Sequence, residues 1–109
     1  MDIYDYTTKG GKNVILNYID SLPNDIKVIA YNIRKVISRD GMIAFEALNT
    51  RKLKGKLYEI KFSNQRIMYV IKNINSVYFL HICKKQKNKT ENKDLELAIK
   101  RAKSEGLDI

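Results

Sequence analysis

The chain has one cysteine, one histidine, one proline and no tryptophan in 109 residues. The single thiol, Cys83, excludes an internal disulfide, and Cys83 with the neighbouring His81 falls short of the four ligands that a structural zinc site uses. No protein-held metal or other cofactor is expected, although a magnesium ion arriving with a substrate would leave no trace in composition. The longest uncharged apolar stretch, Ser76 to Cys83, is far short of the ~20 residues that cross a bilayer. The opening Met1-Asp2-Ile3-Tyr4-Asp5 lacks the basic-then-apolar layout of a secretory leader. A cytoplasmic protein with no membrane partner is expected, folded as one domain over residues 1–109.

Acidic residues are scarce in one place only. Residues 51–93 hold 12 Lys and Arg against 2 Glu, whereas residues 1–50 hold 6 basic and 6 acidic side chains and residues 94–109 hold 3 and 4. The whole net charge of +9 therefore arises from the middle of the chain. A surface built only for solubility intersperses its signs; a one-sided block points to a polyanion, with nucleic acid favoured over an anionic membrane.

Hydrophobic periodicity divides the chain into elements. Asp2 to Thr7 reads as a short strand, and Thr8-Lys9-Gly10-Gly11 as a turn. Val14, Ile15, Leu16, Tyr18, Ile19 and Leu22 predict a first helix ending near Pro23, a residue suited to a helix start. A second helix is predicted from about Asn24 to Asp40, with Ile26, Ile29, Ala30, Ile33, Val36 and Ile37 on one stripe and Gly41 as its stop. Ala44 to Lys56 shows no clean period and reads as a basic connection or a short turn. Strands follow at about 57–62, 66–72 and 77–84, at hairpin distances and so antiparallel. One parity, Tyr58, Ile60, Phe62, Ile67, Tyr69, Ile71, Tyr78, Leu80 and Ile82, forms an apolar surface for the helices. Glu59, Lys61, Arg66, His81 and Lys85 fall on the other. A last helix should begin near Thr90 as N-cap, with Glu91 and Asp94 in its first turn, bury Leu95, Ala98, Ile99 and Ala102, and end at Gly106.

Three stretches carry a resemblance when taken in order: Leu53-Lys54-Gly55-Lys56-Leu57-Tyr58-Glu59-Ile60-Lys61, then Gln65-Arg66-Ile67-Met68-Tyr69, then Leu80-His81-Ile82-Cys83-Lys84-Lys85, followed by Lys89-Thr90 and a terminal helix. Together they resemble the HigB-type subgroup of the RelE/ParE toxin superfamily, whose pattern is roughly L-K-G-x-L-W-E-L-R, Y-R-V-L-Y and L-H-x-F-x-K-K-x-x-K-T-P. The resemblance covers about half of the chain. It implies an α+β, RelE-like toxin with two N-terminal helices, a C-terminal helix and a small, mostly antiparallel sheet. Its implied activity is ribosome-dependent, metal-independent mRNA cleavage, and its implied partners are the ribosome, mRNA and a cognate antitoxin. The family's basic positions fall on Lys61, Arg66, Lys85 and Lys89. Tyr58, Lys61, Cys83, Gln86 and Glu91 depart from the pattern; at Lys61 and Gln86 the change weakens the grip on phosphate, because lysine lacks arginine's planar fork.

Cutting RNA without a metal activates the 2′-hydroxyl against the adjacent phosphate. This requires a proton acceptor, cations for the charge that builds on the phosphoryl oxygens, and a donor to the leaving 5′ oxygen. Arg66 is the expected central cation, assisted by Lys61 and Lys85; Glu59 and His81 are the candidate bases. Lys52, Lys54, Lys56, Lys84 and Lys89 are expected to hold RNA. Each has a plainer alternative: a satisfied structural histidine, a Glu59 that only neutralises and positions Lys61 or Arg66, solvated lysines, and a buried, unreactive Cys83. Two other functions stay open, a non-catalytic member of the fold acting on a target such as gyrase and a plain RNA-binding module. The expected Arg66→Ala phenotype is loss of toxicity in a folded protein, and an acidic antitoxin segment is expected over or beside the cationic face.

Overall fold

Pro23 lies between two helices that fold back on one another, and the strands that follow build a mixed sheet between that pair and a last helix. The structure is a computed structural model in which residues 1–85 and 92–109 are described. In chain order the elements are β1 (Asp2–Asp5), α1 (Val14–Asp20), α2 (Asn24–Asp40), a 3-10 turn (Gly41–Ile43), α3 (Ala44–Ala47), β2 (Thr50–Lys54), β3 (Leu57–Phe62), β4 (Gln65–Asn73), β5 (Ser76–Lys84) and α4 (Asn92–Ser104). The fold is α+β. The five strands lie in the order β1-β5-β4-β3-β2, with β1 parallel to β5 and every other pair antiparallel.

The helix pair forms as its periodicity dictates. Asn13 caps α1 by accepting from the Leu16 N–H, and α2 stops at Gly41, whose φ of 68° suits a residue without a Cβ. Ile15 and Ile19 of α1 and Ala30, Ile33 and Ile37 of α2 are buried against one face of the sheet. The basic connection expected between residues 44 and 56 is instead the short helix α3 and the edge strand β2. The sequence Thr50-Arg51-Lys52-Leu53-Lys54 carries too many lysines to read as a strand, but an edge strand exposes one side to water and tolerates them.

The sheet is buried on both faces, not one. Ile60, Phe62, Ile67, Tyr69, Val77, Phe79 and Ile82 pack on α1, α2 and α3. Leu57, Met68, Val70 and Leu80 pack beneath α4 through Ala98 and Ala102, small residues that let the helix lie close. Tyr78 and Leu80 therefore sit on the opposite face from the one that alternation assigns them. The cause is a bulge in β5: Met68 pairs with His81 and Tyr69 with Phe79, so Leu80 is an extra residue and parity reverses across it. Beyond α4, Leu107 is buried in the same layer, and the Ile109 backbone packs on Gly55 in the β2–β3 turn. Among the described residues, no helix is long and apolar enough to cross a membrane.

Candidate nucleic-acid interface

Strand register places the candidate residues in two rows across the α4-side face. Arg51 pairs with Glu59, Glu59 with Met68, and Met68 with His81. One step along the strands, Lys61 pairs with Arg66 and Arg66 with Cys83. Glu59, Lys61 and Arg66 thus share the face opposite the helix pair, as alternation predicts. Lys85 follows the end of β5, and its backbone N–H donates to the Asn64 carbonyl at 2.7 Å, which brings it to the same end of the sheet as Lys61 and Arg66. Lys61 is half-buried and Lys85 exposed.

Arg66 is not the solvent-facing cation that the sequence suggests. It is 3% exposed, and its Nη1 donates to Glu59 Oε2 at 2.8 Å. Glu59 is fully buried, and Nη2 of the half-exposed Arg51 reaches the same oxygen at 2.9 Å. A carboxylate taken out of water is tolerated when fixed cations surround it, so Glu59 and its two arginines form one structural unit under the sheet face. Arg66→Ala would leave Glu59 short of a buried countercharge, which overturns the expectation that this change spares the fold. Arg51 went unrecognised because only register shows that it faces Glu59.

His81 is held on both sides. Nε2 lies 2.8 Å from Asp94 Oδ1 on the first turn of α4, and Nδ1 lies 3.4 Å from Nη1 of Arg101 on its last turn. Arginine can only donate, so the neutral ring accepts at Nδ1 and carries its proton on Nε2, directed at Asp94. Burial lowers the His81 pKa, Asp94 opposes that shift in part, and Arg101 adds to it. Arg101 also donates to the Leu80 carbonyl at 2.9 Å and stacks over the Tyr6 ring at 4.6 Å. These contacts match the satisfied structural histidine better than a base open to substrate. Burial, and then the carboxylates of Asp94 and Glu59, push the Cys83 thiol up to about 12, which keeps it protonated and a poor nucleophile.

The lysines assigned to RNA do not form one patch. Lys52 pairs with Tyr58 and so shares the opposite face from Glu59. Lys54 and Lys56 flank the β2–β3 turn, about 14 Å along β3 from Lys61 at ~3.4 Å per residue. Lys84 pairs with Gln65, one residue out of step with Arg66, and is exposed. Lys89 lies outside the described residues, as do Gln86, Glu91 and the proposed N-cap Thr90. Two further groups stand at the Lys61–Lys85 end: the Tyr18 hydroxyl donates to Gln65 Oε1 at 2.6 Å, and the Gln65 amide donates to Asn64 at 3.0 Å. Burial, and then the charges of Cys83 and Asp94, raise the Tyr18 pKa. Tyr18 counted as a core residue in the helical pattern, and no local signal distinguishes it.

The family model of phage-derived Gp49-like proteins (DUF891) matches residues 17–103, spanning both helices, the four antiparallel strands and nearly all of α4. No curated protein matches the chain.

Proposed function

Because the chain belongs to the phage-derived Gp49-like family, which is associated with the toxins of toxin–antitoxin pairs, we propose that it is the toxin of a type II pair. In this proposal it is a RelE-like, HigB-type endoribonuclease that acts in the cytoplasm, cuts mRNA on the ribosome and is neutralised by a cognate antitoxin. The observation that carries it is the direct opposition of Lys61 and Arg66 at one end of the sheet, with Lys85 brought beside them. Like charges placed opposite one another on neighbouring strands cost stability, and an arriving phosphate repays that cost. Arg66, held by Glu59, supplies a fixed charge; Lys61 and Lys85 supply the accessible ammonium groups that meet phosphoryl oxygens as negative charge develops there.

Glu59 and both ring nitrogens of His81 are engaged within the protein, and this supports the ribosome-dependent form of the reaction. A proton acceptor supplied by the ribosome–mRNA complex completes a site whose own part is positioning and charge. The same engagement favours one second reading, an RNA-binding module that grips phosphates without cutting. Purified protein added to a translating extract distinguishes them: primer extension on the translated message should show new 5′ ends that vanish when initiation is blocked. Retention of RNA with no new ends under translation would instead select the binding module.

A further inference from the structure

We propose that His81, Cys83 and Asp94 form a binding site for a zinc ion, with Nε2, Sγ and a carboxylate oxygen as ligands and one position left for water. The sequence offers two of these groups two residues apart, and α4 delivers the third. The bulge at Leu80 sets His81 and Cys83 on the α4-side face, and the first turn of α4 lays Asp94 over them. The three ligand atoms lie within 4.8 Å of one another. Tetrahedral zinc with bonds of ~2.0–2.3 Å separates neighbouring ligand atoms by roughly 3.3–3.8 Å. Small side-chain adjustments close that difference: the Nε2–Oδ1 pair, now 2.8 Å apart, opens slightly, and the sulfur moves inward.

The donor set selects the ion. Thiolate and imidazole together disfavour magnesium and calcium, and three protein ligands with an open fourth position suit zinc. The side chains of His81 and Asp94 are 13% and 15% exposed and Cys83 is half-buried, so the site is sheltered but has a path from solvent. Arg66 pairs with Cys83 on β4, Arg101 approaches His81, Lys93 adds a positive charge and Glu59 a negative one. Zinc with one thiolate, one carboxylate and one neutral imidazole adds no net charge beside these cations, so they do not repel the filled site. On binding, the Cys83 S–H bond breaks and its proton passes to water. The His81 proton moves from Nε2 to Nδ1, and Arg101 keeps its bond to the Leu80 carbonyl.

The site stands apart from the nuclease reading, and its test reads the metal alone. The full chain, reduced and freed of metal with a chelator, is titrated with Co²⁺ as the spectroscopic stand-in for Zn²⁺. The expected result is one equivalent bound, with a thiolate-to-cobalt charge-transfer band that Zn²⁺ displaces and a thermal midpoint that rises with free Zn²⁺. Cys83→Ala should abolish the band, and Asp94→Asn, a change at a partly exposed helix position, should weaken binding by at least the ~10–100-fold that loss of a supporting partner costs. Circular dichroism establishes that each variant is folded. A folded parent chain with no thiolate band, or a folded Asp94→Asn variant that binds as tightly as the parent, would overturn the proposal; the parent titration decides even if a variant fails to fold.

Discussion

Replacing Glu59 with glutamine keeps the shape of the side chain and removes one charge from a fully buried position. Arg66, 3% exposed and 2.8 Å away, then loses its countercharge, while Arg51, 37% exposed, turns towards water at little cost. Breaking a buried pair from one side typically costs ~3–5 kcal/mol. That is a large share of the roughly 5–15 kcal/mol that stabilises a domain of this size. At about 4 °C per kcal/mol for ~100 residues, the thermal midpoint should fall by roughly 12–20 °C. Urea denaturation followed by circular dichroism should show a matching loss at an unchanged m-value. The double variant Glu59→Leu/Arg66→Met removes both charges and fills the space, so it should recover most of the loss. A Glu59→Gln protein within ~1 kcal/mol of the parent would refute this account of the cluster, because it would mean that Glu59 is hydrated and open to serve as a base.

Lys61→Ala removes one member of a like-charge pair, so its stability should match or exceed the parent's by up to ~1 kcal/mol, while RNA retention on filters weakens and the slope of log K against log salt falls by about 1. The Tyr69 phenol, buried against α3 and β2, is pushed up to about 12 mainly by desolvation; stability is fully present below the unfolded pKa near 10 and is lost as pH rises towards 12. Two units correspond to roughly 2–3 kcal/mol, so the melting temperature of Tyr69→Phe should fall less steeply above pH 10, and absorbance titration of the folded variant should lack the last phenolate step. Gly55→Ala should cost more than ~1 kcal/mol in urea denaturation, because its φ of 56° disfavours a side chain and the new Cβ would lie 2.5 Å from the Ile109 carbonyl carbon.

Alternation and helical period carried the sequence a long way. The bounds of α2, the three central strands and the common face of Glu59, Lys61 and Arg66 all follow from spacing along short stretches. What escaped depends on residues far apart in the chain. The Leu80 bulge moves Tyr78, Leu80, Val77 and Phe79 to faces opposite those assigned, and a bulge is set by what each strand packs against, not by the strand's own residues. Strand β2 was missed because an edge strand is free to carry charge on its open side. Arg51, Asp94 and Arg101 became visible only once register and the docking of α4 set them against Glu59 and His81.

The same distinction sorts the candidate site. A charge pattern shows how many cations a segment carries but not which of them water can reach. Of the basic residues singled out, Arg66 spends its charge inside the protein, Lys52 turns to the other face and Lys54 and Lys56 stand at the far end of the sheet. Lys61 and Lys85 are what the described fold offers to an incoming phosphate at the Arg66 end. Arg66 matters there through its position behind them: it fixes Glu59, and Glu59 keeps a second buried charge from opposing Lys61 unbalanced. Substitutions at Arg66 therefore act on fold and function together. Arg66→Lys, which keeps the charge and loses the fork, paired with Lys61→Ala, which spares the fold, separates the two effects in a way that Arg66→Ala does not.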